Sequence, residues 1–141
     1  MNKITLQEVF DKMLFGLRAQ GVKSEGQAPD GTAYCVYRNV NGYKCGIGQA
    51  IPDELYRPEF DGTADTLEEG VQLGTGIGTL MQKFPELNEF FSGCSMHDLY
   101  ELQDIHDQFM PSEKGESMIE FEYRMEQFAK ERNLVYTPPS P

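Results

Sequence analysis

Apolar residues recur along this chain at helical spacing, interrupted by short polar loops rich in glycine and proline. Leu6, Val9, Phe10, Met13, Leu14 and Leu17 form the first stripe. They follow Thr5-Leu6-Gln7-Glu8, a capping box in which threonine accepts from the third helical amide and glutamate reaches back to the cap. Gly21 is the natural stop, and residues 22–32 read as polar loop. The pattern then turns β-like. Tyr34, Val36, Tyr37 and Val40 precede Asn41-Gly42, and Tyr43 and Ile47 follow it, which predicts an antiparallel hairpin. Two registers are open. A two-residue turn pairs Val40 with Tyr43 and puts Cys35 and Cys45 on opposite faces. A three-residue loop with Gly42 as the bulge pairs Asn39 with Tyr43 and gathers Cys35, Tyr37, Cys45 and Ile47.

Helical signals resume after the hairpin. Pro52–Tyr56 predicts a short helical turn ended by Pro58, with residues 57–65 as loop. Thr66 and Glu69 form a second capping box, opening a helix through Leu67 and Val71. The run LGTGIGT over residues 73–79 predicts a break, because each interior glycine costs about 1 kcal/mol relative to alanine. Helix is expected again from Leu80 to Phe84. Pro85 starts a further short helix carrying Leu87, Phe90 and Phe91, ended by Gly93. Ser95 with Asp98 caps the next, which turns Leu99, Leu102, Ile105 or His106, and Phe109 to the core and stops at Pro111. The last long helix carries Met118, Phe121, Met125 and Phe128. Leu134-Val135-Tyr136 is a candidate third strand. The expected fold is α+β: a small antiparallel hairpin, with that candidate strand, packed among about five amphipathic helices. One domain is expected over residues 1–137, with 138–141 a flexible proline-rich tail.

Charge and cysteine usage narrow the partners. The 141 residues carry a formal net charge of −11, which disfavours nucleic acid and anionic membrane and suits a basic protein partner, or solubility alone. Three cysteines, no leader-like N-terminus and no membrane-length apolar run suggest a reducing cytoplasm with buried, free or metal-bound thiols.

Four chemistries are open to these residues. Cys94-x-x-His97 has ligand spacing, and Cys35 and Cys45 would complete a zinc set; small half-buried thiols are the blander explanation. His106 beside Asp104 and Asp107 is a candidate base, although its position at the edge of an apolar stripe suits a core histidine equally. Gly46 and Gly48, or Gly74, Gly76 and Gly78, with Arg38 and His106, would line a pocket for a small nucleotide; close backbone packing and a helix break are the rival explanations. Glu116, Glu120, Glu122 and Glu126, beside Met118 and Met125, would make an acidic docking face, or simply the solvated side of a helix.

Several blocks carry a family likeness. They are Tyr37-Arg38, Lys44-Cys45-Gly46-Ile47-Gly48, Ile51-Pro52-Asp53-Glu54 and Leu102-Gln103-Asp104-Ile105-His106-Asp107. In this order, between an opening and a final helix, the chain resembles a family of small uncharacterised proteins of tailed phages and prophages. Many members carry a further cysteine where this chain has Gln49, which counts against a metal role here. The resemblance implies phage origin and an accessory role in the host cytoplasm, and brings no established activity. The expectation is therefore a phage protein that binds and inhibits a host or anti-phage defence protein stoichiometrically. The alternative is a sponge for a small nucleotide signal, and an enzyme using His106 comes third. No cofactor is expected, zinc being the one metal the donors suggest, and the oligomeric state, homodimer included, is left open.

Overall fold

A computed structural model describes residues 3–27, 33–62 and 75–140. Among them are five helices and one two-stranded antiparallel sheet, so the α+β expectation holds. Helix α1 spans Leu6–Gln20, strand β1 Glu25–Gln27, strand β2 Ala33–Cys35, helix α2 Ile77–Lys83 and helix α3 Pro85–Phe90. Helix α4 spans Met96–Phe109 and helix α5 Ile119–Arg132.

Helix α1 forms as its sequence dictates. Glu8 N donates to Thr5 Oγ1 at 3.1 Å and Thr5 N donates to Glu8 Oε1 at 3.0 Å. Val9, Phe10, Met13, Leu14 and Leu17 are fully buried. Gly21, at φ +74°, closes the helix by donating to the Leu17 carbonyl at 2.7 Å. Ser95 caps α4 through Asp98 N at 3.1 Å, and Pro85 opens α3. One apolar core runs from Ile4 to Ala129, with Phe10 stacked on Phe128 at 6.1 Å between centroids.

The expected hairpin over residues 34–47 is reduced to its turn. Asn39 N donates to Tyr43 O at 2.9 Å, and Arg38 and Lys44 form an isolated antiparallel bridge. Of the two registers, the three-residue loop is therefore the one adopted, with Gly42 at φ +82° and Val40 fully exposed at the tip. No longer ladder grows because side chains take the backbone groups it would need. Asp61 accepts from Tyr37 N at 2.7 Å and Arg38 N at 3.2 Å, and Gln20 Oε1 accepts from Lys44 N at 2.8 Å. After Cys45 the chain coils into a 3-10 turn, Ile47–Ala50, laid against α1. The sheet instead pairs β2 with β1, in the register Glu25↔Cys35, inside a stretch whose sequence reads as loop.

Three further expectations are corrected. Helix α2 begins at Ile77, not Leu80, with Gly78 in its first turn. Pro52–Tyr56 makes the short turn expected, through Leu55 N to Pro52 O at 3.0 Å, but Pro58–Asp61 adds a 3-10 turn where loop was expected. Leu134–Tyr136 is extended but not a strand: the side-chain amide of Gln7 takes both backbone groups of Val135, at 2.8 and 3.0 Å. The segment is then pinned by Arg18 on the Thr137 carbonyl and Tyr136 Oη on Glu122. Pro138–Ser140 are exposed beyond it. The Thr66–Glu69 capping box, Leu67, Val71, Leu73 and Gly74 lie outside the described residues.

Gly48 sits where a Cβ would lie 2.4 Å from the Tyr37 carbonyl oxygen, whereas a Cβ on Gly46 would meet mainly the flexible Met13 thioether at 3.1 Å. Gly48→Ala is expected to destabilise the fold by about 1–3 kcal/mol, and Gly46→Ala by less. Urea denaturation of the two variants checks the order, and equal losses would contradict this packing.

Candidate functional site

The chain brings its chemistry together where β2 and the 38–44 turn meet α4. On α4 the sequence places Tyr100, Gln103, Asp104 and Asp107 at intervals of three and four, hence on one face. With Cys35, Tyr37, Cys45, Thr75, Gly76 and Ile77 they line a cavity of about 170 Å³. His106, on the adjoining face, is completely buried.

A hydrogen-bond chain fixes this cluster. Ser24 N donates to His106 Nε2 at 3.1 Å, so that nitrogen must be the acceptor and Nδ1 carries the proton. Nδ1 then donates to Asp107 Oδ1 at 2.8 Å. Gln103 Nε2 donates to the same oxygen at 2.8 Å, while Gln103 Oε1 accepts from Ile47 N at 2.9 Å. The Cys35 thiol lies within 4.8 Å of the Asp107 carboxylate. Burial would raise the pKa of Asp107, but His106, Cys35 and Gln103 outweigh it and hold the group below the ordinary aspartate value.

The thiols run the other way. Burial first, and the neighbouring Asp107 second, push the Cys35 pKa well up. Burial does the same to Cys45, whose Sγ accepts from Gly48 N at 3.2 Å. Neither is poised as a thiolate at neutral pH. Burial also raises the Tyr37 phenol, which donates to Thr75 O at 3.0 Å.

This geometry bears on the chemistries open to the sequence. Catalysis by His106 needs a free ring nitrogen facing a nucleophile, and here both nitrogens hold structural bonds. A metal meets the same obstacle. Ligand atoms of Cys35, His106 and Asp107 lie within 4.8 Å of one another, a grouping the sequence did not single out. Metal on Nδ1 would move the proton to Nε2, directly against the Ser24 N–H donor, so the residues do not fit a conventional histidine ligand. Cys94 and His97 do not join Cys35 and Cys45: Cys94 bonds Ile4 O at 3.8 Å and His97 is exposed beside Glu101.

The glycines are packing positions. Gly46 lies against Met13 and His106, Gly48 against Tyr37, and a Cβ on Gly78 would sit 2.2 Å from Tyr100 Oη. Gly76 borders the cavity. Arg38 stacks on Tyr56 at 4.3 Å, pairs with Asp53 and donates to Ile51 O, and it is not among the cavity's lining residues.

The acidic run on α5 is divided. Glu122 turns inward, held by both Arg18 nitrogens at 2.7 Å and by Tyr136, so it is a structural ion pair between α1 and α5. Glu120 pairs with Arg124, Glu126 with Lys130, and Glu116 accepts from Glu113 N. An acidic surface forms between α4 and α5. There Glu101, Asp104 and Glu131 line a groove with Arg124, and Asp104 continues into the cavity.

No protein-family model matches the chain, and neither a curated protein nor a solved structure matches it significantly. No helix among the described residues is long and apolar enough to cross a membrane.

Two outcomes follow from the cluster. A group whose folded pKa is depressed contributes stability above its unfolded value, and that stability is lost as pH falls through the folded pKa. Stability measured by urea denaturation should therefore drop below about pH 4, and less steeply in Asp107→Asn; identical slopes would contradict the role given to Asp107. Cys35 and Cys45 should react with a disulfide reagent far more slowly in the folded than in the unfolded chain, read by absorbance, and fast labelling of Cys35 would contradict its inert environment.

Proposed function

We propose that this protein works by binding rather than by catalysis, as a stoichiometric partner of a basic protein. The observation that carries this reading is the α4–α5 groove. Three carboxylates, Glu101, Asp104 and Glu131, line it against the single guanidinium of Arg124, and Glu120, paired with Arg124, adds a fourth beside it. Among the described residues the Gln108 amide, at 2.8 Å, is the one hydrogen-bond partner of Asp104, which leaves its charge for an outside cation. Tyr100, 47 % exposed, and Phe109 add aromatic surface beside these charges, the mixture found at binding hot spots. Negative surplus of this kind speeds association with a positive partner and selects against acidic ones.

The phage-family resemblance supports placing this partner in an infected cell, as a host or defence protein that the complex inhibits. The nucleotide-sponge alternative draws little support from the geometry, because Gly46, Gly48 and Gly78 are filled by packing and the cavity is small.

Affinity capture from host lysate, comparing the natural chain with a Glu120→Lys/Glu131→Lys variant, tests the proposal. Both side chains are exposed, so the fold should survive. The expected result is a basic protein retained at equal stoichiometry by the natural chain, released by salt and lost with the variant. Equal retention by both proteins, or no salt dependence, would overturn it.

A further inference from the structure

The cavity beneath Tyr100 is chemically distinct from the groove it opens beside. Its volume of about 170 Å³ falls below the roughly 300–1,000 Å³ of sites that enclose a whole small ligand, so it suits a single head group. Asp104 and Asp107 line it together with the phenol rings of Tyr37 and Tyr100, and no lysine or arginine is among the described residues of its wall. The two groups that hydrogen-bond the Asp107 carboxylate are an imidazole whose proton position marks it as neutral and an amide. They orient the charge without cancelling it. A carboxylate has about four acceptor sites, and these bonds use two, both on Oδ1. The nearby Lys23 ammonium is engaged by the Asp107 backbone carbonyl at 2.7 Å and stands outside the wall. A half-buried negative charge in a phenol-lined recess is matched by a cation that is weakly hydrated, planar and rich in donors. Guanidinium is that cation: it pairs with carboxylates through two parallel bonds and stacks on aromatic rings, which an ammonium does less well.

We propose that this cavity is an anchor for one arginine side chain, delivered by the partner that docks along the α4–α5 groove. The identity of the deliverer rests on the binding function proposed above, while the chemistry of the recess stands on its own lining.

The test uses the whole chain labelled with nitrogen-15 and titrated with N-acetyl-arginine methylamide, alongside the lysine analogue. The expected result is saturable amide shifts at Gly76, Ile77 and Gln103–Asp107, with the lysine probe weaker by about tenfold. Tyr100→Ala and Asp104→Asn, both at exposed positions, should each weaken the arginine probe by about tenfold. No saturable shift in the natural chain, equal affinity for both probes, or unchanged affinity in both variants would overturn the inference. Capture of a basic partner is read in parallel. If Tyr100→Ala loses the probe yet retains the partner at full affinity, the cavity is not the anchor and the inference fails, while the binding function stands. Loss of capture in the Glu120→Lys/Glu131→Lys variant, with the probe still bound, is the expected result, because the groove loses its charge while the recess keeps its lining.

Discussion

A histidine with no exposed surface must have both ring nitrogens satisfied, and that constraint organises the centre of this molecule. His106 meets it with one bond in each direction: Ser24 N–H from the start of β1, and Asp107 on its own helix. The first bond docks the sheet onto α4, and Ser24 extends the contact by giving its hydroxyl to Tyr43 O and accepting from Val36 N. The second holds the Asp107 carboxylate at the wall of the cavity, with the Cys35 thiol close by. One buried imidazole thus fixes the sheet, the turn and the charge of the recess, and the same bonds occupy the nitrogens that catalysis or metal ligation would need.

The charged groups divide into two populations. Arg18–Glu122 and Arg132 with Asp98 and Glu101 are partly buried clamps that tie α5 to α1 and to α4, with Arg132 also stacked on Phe128 at 3.8 Å. Such pairs position helices more than they add net stability, since desolvation offsets much of their attraction. Most of the other described acids are exposed, and the chain carries a formal net charge of −11. Where they flank the α4–α5 groove and the cavity, that surplus becomes a feature another molecule can read.

Much of this was legible in the sequence, and the failures have physical causes. Caps and apolar spacing placed α1, α3, α4 and α5, because those signals are local. The Asn39–Tyr43 register was one of two readings, and the Asn39 side chain decides it by accepting from Asn41 N and Tyr43 N. Strand β1 was invisible because Glu-Gly-Gln has no β pattern, and its pairing depends on Ser24 contacting residues far along the chain. Tyr100 lies over Gly78 in the first turn of α2, where a side chain would meet its hydroxyl, and Glu122 turns inward to Arg18, both tertiary contacts. The cavity face was within reach: Tyr100, Gln103, Asp104 and Asp107 share one side of a helix whose other side is apolar. Helical periodicity reveals that face, but only the fold shows that a recess lies in front of it.

The protonation site of His106 is the most direct test of this account. A long-range nitrogen–proton NMR correlation of the imidazole distinguishes a protonated Nδ1 from a protonated Nε2. The structure requires the proton on Nδ1, with Nε2 accepting from Ser24, and unchanged on adding zinc. A proton on Nε2, or a zinc-induced shift at Nδ1, would contradict the structural role of His106 and return the cluster to chemistry.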